Sequence, residues 1–291
     1  MIAITGAAGF IGSNIYKSLK DDHKIIKVDF EESCVDPYDF LDRLSEFEYA
    51  KSIDVIFHQG ACTDTMCYDT RFMMERNFEY SLALFKLCLK NNIRLIYASS
   101  ASVYGDGPFH ENYNNPKNVY ALSKYMFDQY VEAYIPEGLK TQVVGLRYFN
   151  VYGPGEENKG KMASVMHQFK KQADSENKIS LFVGSENYKR DFVYIDDVVS
   201  VNLHFLENKE ISGIFNCATG KAESFAQIAN IMKKEYGFEI DEIEMPSYLR
   251  EKYQNYTCAD LNHLKNVGKY NKNFLALKKG IARYRCFWDG K

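Results

Sequence analysis

The sequence predicts an α/β fold: a doubly wound parallel sheet with a smaller α+β lobe at its C-terminal end. Three observations carry that expectation. Short apolar runs (Ile2–Thr5, Lys24–Val28, Asp54–Phe57, Arg94–Ala98 and Gln142–Leu146) alternate with segments of helical period. Most runs are continuously apolar, as strands buried on both faces require. The first two are joined by a glycine-rich turn and a helix within about thirty residues, the strand–helix–strand unit of a parallel sheet.

Bulk properties narrow the function classes. The 291 residues are 46% hydrophobic and 26% charged, enough for a sizeable core. A net charge of −3 without a basic stripe argues against nucleic acid as a partner. No apolar run approaches the roughly 20 residues that cross a membrane. The N-terminus reads directly into a strand with no basic leader, so a cytoplasmic location is expected. Seven scattered cysteines without a Cys-x-x-Cys pair, and six histidines without ligand spacing, predict neither a disulfide framework nor a metal site.

The first unit is Ile2–Thr5, the turn Gly6-Ala7-Ala8-Gly9-Phe10-Ile11-Gly12, a helix over about Ser13 to Lys20, then Lys24–Val28 ending at Asp29. Gly6, Gly9 and Gly12 permit a tight turn, close backbone approach to a pyrophosphate and close helix–strand packing, while the helix N-terminus offers N–H groups to phosphates. A dinucleotide is the ligand this pattern predicts. Asp29 stands where a carboxylate accepts hydrogen bonds from the adenosine ribose, beside Phe30. It would repel a 2′-phosphate, and Phe30-Glu31-Glu32 brings no cation to offset that, so these residues favour NAD over NADP. The competing reading is that Asp29 caps the turn.

A short helix (Asp39–Phe47) and the strand Asp54–Phe57 follow, breaking at His58-Gln59-Gly60-Ala61. Small residues such as Gly60 and Ala61 at a strand's C-terminal end suit a cofactor lying across the sheet edge. A long helix (Phe72–Asn91) leads to the strand Arg94–Ala98, which ends in Ser99-Ser100-Ala101-Ser102. The next helix carries Tyr120 and Lys124, and the strand Gln142–Leu146 ends at Arg147-Tyr148-Phe149-Asn150. Residues 1–150 read as a dinucleotide-binding domain and 151–291 as a substrate-binding lobe. The lobe opens with a turn at Val151–Gly155, a charged loop over 156–161 and a helix (Met162–Ala173). Some of its segments, for instance Ile214-Phe215-Asn216, are expected to return to the first domain.

Tyr120 and Lys124 share one helical face, one turn apart. An ammonium beside a phenol favours the phenolate, so the pair could act as a general acid/base near neutral pH. The same spacing also arises as a core tyrosine with a solvated lysine.

Together, the glycine loop at 6–12, Ser100 in Ser99-Ser100-Ala101-Ser102-Val103-Tyr104-Gly105, and Tyr120-x-x-x-Lys124 resemble the extended short-chain dehydrogenase/reductases that act on nucleotide sugars. Further runs resemble the family members that epimerise an ADP-linked heptose for the lipopolysaccharide core. They are Gly60-Ala61-Cys62-Thr63, Arg147–Pro154, Lys159-Gly160-x-Met162-Ala163-Ser164-Val165, Gly184–Tyr194, Gly213-Ile214-Phe215-Asn216 and Tyr253-Gln254-x-x-Thr257-x-Ala259-Asp260-Leu261. The resemblance implies transient oxidation at C6″ by one tightly bound nicotinamide cofactor, with Tyr120 as proton acceptor, Lys124 on the nicotinamide ribose, Ser100 on the reacting oxygen and Lys159 as a second proton-handling residue. It implies cofactor contacts at Phe10, Ile11, Asp29, Asn77 and Val151. Substrate contacts are implied at Asn150, Lys161, Gln168, Phe182, Gly184, Ser185, Arg190 and Tyr253, and a homo-oligomer, possibly a pentamer, as the assembly.

The chain departs from the family pattern in places. The loop after Asp29 is shortened, and two lysines that the family places near the adenosine 2′-phosphate are missing, one in the deleted stretch and one at Pro37. The family implies NADP where these residues favour NAD. Lys161 replaces a serine, Val183 a glutamate, and His167 lies one position off an expected histidine. Two competing functions share the fold: a UDP-hexose 4-epimerase, and a non-catalytic dinucleotide sensor. A 4,6-dehydratase is disfavoured, since Ala101-Ser102 follow Ser100 where that chemistry wants acids.

Overall fold

A computed structural model describes residues 1–135, 138–247 and 254–290 of the chain. The first part runs β1 (Ile2–Thr5), α1 (Phe10–Leu19), β2 (Ile25–Val28), α2 (Pro37–Leu44), α3 (Phe47–Lys51), β3 (Val55–His58) and α4 (Thr70–Met74). A π-helical turn (Glu75–Glu79) joins α4 to α5 (Tyr80–Asn91), followed by β4 (Arg94–Ser100), α6 (Val119–Tyr134) and β5 (Val143–Tyr148). The remainder contains β6 (Asn150–Tyr152), α7 (Val165–Glu176), β7 (Lys178–Phe182), β8 (Lys189–Tyr194), α8 (Ile195–Glu207), β9 (Gly213–Cys217), β10 (Ala222–Ser224), α9 (Phe225–Tyr236) and β11 (Glu239–Ile243).

Six strands form one parallel sheet in the order β2-β1-β3-β4-β5-β9. The strand Gly213–Cys217 therefore returns to the central sheet, completing its far edge beside β5. Alternate residues face opposite cores. Ile2, Ile4, Val55 and Phe57 pack with Ile15, Val198 and Phe205 of α1 and α8. Ala3 and Ile56 pack with Phe40, Leu84, Phe85 and Phe127 of α2, α5 and α6. Helices on both faces account for the continuously apolar strands. The chain's direction of growth reverses at β1, which pairs with β2 on one side and β3 on the other, and a ligand crevice is expected outside the strand ends there.

The element boundaries differ from the sequence expectation where caps decide them. The first helix starts at Phe10, with Gly9 as its N-cap. The second starts at Pro37 because the Asp36 carboxylate accepts from the N–H groups of Tyr38 and Asp39, and it breaks after Leu44. The long helix begins at Thr70, capped by Asp69, and carries a π turn that no periodicity announced. The helix expected from Met162 starts at Val165, where Ser164 caps it. After Asp29 the chain returns to β2 through a parallel bridge, Val28 to Val35. Two small sheets, β10-β8-β6 and β11-β7, complete the second lobe. No helix among the described residues is long and apolar enough to cross a membrane.

Candidate active site

The crevice at the β1/β3 switch point is built on two backbones that nearly touch. Gly6 has φ +67°, and a Cβ there would lie 2.5 Å from the nitrogen of Gly60. A Cβ on Gly12 would lie 2.1 Å from the Gly6 oxygen, so α1 can approach β1 this closely only with glycine at that position. The Thr5 hydroxyl accepts from the Gly60 N–H at 3.2 Å and lies 2.7 Å from Nδ1 of His58, whose Nε2 is 2.8 Å from the Ser81 hydroxyl. Burial, with a smaller contribution from the Lys124 charge, pushes His58 down to about 3. A neutral imidazole therefore pins the end of β3 to α5.

Around these backbones opens a cleft of about 1160 Å³. Its walls bring together Gly6, Gly9, Phe10, Ile11, Gly12, Asp29, Phe30, Gly60 and Ala61, with Lys159 and Lys161 across from them. Position, size and the close backbone approach that Gly6, Gly12 and Gly60 allow fit a dinucleotide. Asp29 is placed for the first reading and fulfils the second. It lines the cleft, and its carboxylate caps the glycine turn by accepting from the N–H groups of Ala8 (2.9 Å) and Phe30 (2.8 Å).

The sequence after Asp29 is borne out in what it lacks, and a distant residue adds to the same wall. The residues after Asp29 bring no cation, but Arg76 from the π turn lines the same cleft, its guanidinium carbon 4.2 Å from the Phe30 ring centroid. A contact between the loop after β2 and a helical turn far along the chain leaves no trace in the local sequence.

Ser100 ends β4, where its side-chain oxygen accepts from the N–H (3.2 Å) and hydroxyl (2.9 Å) of Ser102. The helix α6 begins under the Asn118 side chain, which accepts from the Ala121 N–H, and so places Tyr120 and Lys124 in its first two turns. Lys124 is 4% exposed, and its ammonium donates to the carbonyl of Ala98 at 3.0 Å, two residues before Ser100. Burial lowers Lys124 to about 8 against the opposing pull of Asp128.

Tyr120 behaves differently from the expectation. Burial raises its phenol, and the hydrogen bond with Ser100 pulls the other way. Removing a phenolate from water outweighs the neighbouring lysine, whose ammonium is engaged by a backbone carbonyl.

Asn77, fully buried in the π turn, ties this helix to the cleft. Its side chain accepts from the Cys62 N–H (2.8 Å) and donates to the Cys62 carbonyl (2.9 Å) and the Ser123 hydroxyl (3.2 Å). Asp128, which sequence reasoning did not single out, lies one turn beyond Lys124. It accepts from Tyr97 (3.0 Å), Ser99 (2.8 Å) and Arg147 Nε (2.7 Å), a buried knot beneath the strand that carries Ser100. Only its helical spacing from Lys124 hinted at it.

The second lobe supplies Lys159 on a 3₁₀ segment (Glu157–Met162). Its ammonium sits 5.3 Å from the Phe10 ring centroid, and burial lowers its pKa despite the opposing charge of Glu156. Glu156 is itself fully buried, accepting from the Gly153 N–H and the Ser164 hydroxyl. Gln168 donates to the Gly160 carbonyl at 2.8 Å and so braces the Lys159 turn. Asn150 and Val151 open β6, in register with Phe192 and Val193. Phe182 and Gly184 bound a turn in which the Ser185 N–H bonds the Phe182 carbonyl, and Ser185 lines a separate cleft of about 710 Å³ with Glu186 and Asn230. Arg190 donates to the carbonyl of Gln254, and the Gln254 amide donates to the Gly105 carbonyl, joining Arg190 to the loop after Ser100. Tyr253 lies outside the described residues. Among the described residues, no group of three His, Cys, Asp or Glu side chains is placed to hold a metal ion.

Comparison with known proteins agrees with this geometry. The NAD dependent epimerase/dehydratase family matches residues 2–218. An ADP-L-glycero-D-manno-heptose-6-epimerase of Brachyspira hyodysenteriae is 48% identical over 98% of this chain and 96% of its own length. The crystal structure of the Helicobacter pylori ADP-L-glycero-D-manno-heptose-6-epimerase superimposes with a TM-score of 0.83 at 30% identity, covering 100% of this chain and 96% of that one. A Thermotoga maritima UDP-glucose 4-epimerase shares the fold, with a TM-score of 0.85 over 99% and 98% of the two chains, at 23% identity.

Proposed function

Because this chain belongs to the NAD dependent epimerase/dehydratase family, we propose that it is an isomerase converting ADP-D-glycero-D-manno-heptose to ADP-L-glycero-D-manno-heptose for lipopolysaccharide core synthesis. The observation that carries this reading is near-half identity to a heptose epimerase along the whole chain, second lobe included. A nicotinamide dinucleotide bound in the cleft supplies reversible hydride acceptance.

The chain's own groups handle protons and position. Tyr120, whose phenolate the Ser100 hydrogen bond favours against burial, takes the proton of the C6″ hydroxyl as the ketone forms. Epimerisation needs a proton exchanged on the opposite face as well, and Lys159 is suited to it because burial lowers its pKa. Lys124 holds the cofactor ribose from its seat on the Ala98 carbonyl. Arg190, a permanent cation with a forked donor set, binds the substrate diphosphate. Asp29 accepts from the adenosine ribose.

Incubation with ADP-D-glycero-D-manno-heptose, followed by NMR at C6″, tests the reading. Appearance of the L-glycero epimer supports it. An unchanged sugar, with UDP-hexose epimerised at C4 instead, would transfer the site to the 4-epimerase reaction.

A further inference from the structure

The turn that carries Lys159 is closed by one buried carboxylate. Glu156 stands just ahead of the 3₁₀ segment Glu157–Met162 and is 0% exposed. Its Oε1 accepts from the Gly153 N–H at 3.1 Å and the Ser164 hydroxyl at 2.8 Å, and its Oε2 accepts from the Ser164 N–H. Its backbone carbonyl accepts from the Lys159 N–H at 3.0 Å. The chain before the Lys159 turn is thereby tied to Ser164, the N-cap of α7, after it.

The C-terminal helix Leu277–Trp288 packs against the same group through Tyr284. The Tyr284 phenol is pushed up by burial and next by the charge and hydrogen bond of Glu156, and it lies 3.4 Å from Nδ1 of His167 on α7. Further charged groups surround the pair: Glu157 and Lys161 on the same segment, and Asp29, Asp64 and Arg76 along the cleft. Burying a carboxylate is costly unless its acceptors are filled, and here donors from separate segments fill them.

Hydrogen bonding accounts for how the charge is tolerated; position accounts for what it does. Burial of the Lys159 ammonium disfavours its charged form, and the Glu156 carboxylate opposes that effect. A lysine stripped of water stays neutral, so it takes a proton but returns it poorly. A group that exchanges a proton in both directions needs both of its forms within reach of the working pH. From a buried site the field of the carboxylate is weakly screened by solvent and salt.

We propose that Glu156 is a positioning residue: it closes the turn that carries Lys159 and supplies the negative charge that lets Lys159 both take and return a proton. The inference rests on reading Lys159 as the second proton-handling residue. Gln168 braces the same turn through the Gly160 carbonyl but carries no charge, so the electrostatic task falls to Glu156.

The test is an NMR titration of full-length protein labelled with ¹³C at lysine Cε, the Lys159 signal being the one that Lys159→Met removes. Glu156→Gln keeps the shape and removes the charge. The titration midpoint of Lys159 should fall by about one pH unit or more, since a neighbouring opposite charge favours the ammonium by that order. An unmoved or raised midpoint would overturn the proposal. A double-mutant cycle on turnover gives a second measurement. Glu156→Gln should slow epimerisation about tenfold or more in wild-type protein, and by less than about threefold in Lys159→Met, where the group it serves is gone. Equal losses in the two backgrounds mark a purely structural role and would also overturn it. Should the glutamine variant not fold, Glu156→Asp keeps the charge, shortens the reach and is read by the same cycle with the same expectations. A lowered midpoint without heptose turnover keeps this inference and defeats the proposed reaction; heptose turnover with an unmoved midpoint does the reverse.

Discussion

The ammonium of Lys124 lies 3.0 Å from the carbonyl oxygen of Ala98, which ties the second turn of α6 to the strand that ends in Ser100. That bond holds the helix carrying Tyr120 against the strand carrying Ser100. Burial brings Lys124 to about 8, so the ammonium is charged below that pH and loses its charge above it. Cofactor affinity and turnover that depend on the charge should be complete on the acid side and fall as pH rises through about 8. Lys124→Arg cannot deprotonate in this range, and its pH profile should lack that limb. A limb that persists in the arginine variant would assign it to another group.

Tyr120 and Lys159 are expected to share the proton work. Tyr120→Phe and Lys159→Met should each lower turnover by roughly 10²–10⁴-fold while cofactor remains bound, the range for losing a positioned acid/base. The cofactor's absorbance and single-turnover rates measure both quantities. Full activity of the Lys159 variant would remove it from the mechanism.

Gly12 faces the Gly6 oxygen with room for hydrogen alone, since a Cβ would sit 2.1 Å away. Gly12→Ala should push α1 off β1, costing about 1–3 kcal/mol of stability, as overpacked sites do. Cofactor retention should fall with it, because the helix N-terminus moves from the phosphates. Thermal melting with and without NAD⁺ separates the two effects.

Asn77 makes three side-chain bonds to Cys62 and Ser123 from a fully buried position. Replacement by Ala strands the Cys62 backbone groups, and should cost about 2–3 kcal/mol at about 1 kcal/mol for each bond. Denaturant unfolding measures this, and a loss below half that value would show that the Cys62 loop finds other partners.

His58 provides a pH signature of stability. Its pKa falls from 6.5 unfolded to about 3 in the folded protein, so the unfolded chain binds the extra proton between those values. Stability is unaffected by His58 above 6.5 and declines as pH drops below it, with a slope of up to ~1.4 kcal/mol per pH unit. His58→Gln should flatten that decline in acid unfolding curves.

Much of this protein can be read from its residues in order. Continuous apolar strands, helical periods and the Gly6–Gly12 turn point to a parallel sheet with a dinucleotide crevice, because each pattern is written in residues close in the chain. Tyr120 and Lys124 share a helical face for the same reason, and Ser100 stands at a strand end that the apolar run itself marks. What the residues could not decide are energies that depend on partners far along the chain. Burial, not Lys124, dominates the phenol of Tyr120, and desolvation is a property of the packed whole. Asp128 gathers Tyr97, Ser99 and Arg147 from three segments. The π turn inserts Asn77 into the core and Arg76 into the cleft wall beside Phe30, supplying a cation that the residues after Asp29 lack. Local periodicity encodes elements; only their packing decides which charges meet, and at what cost in lost water.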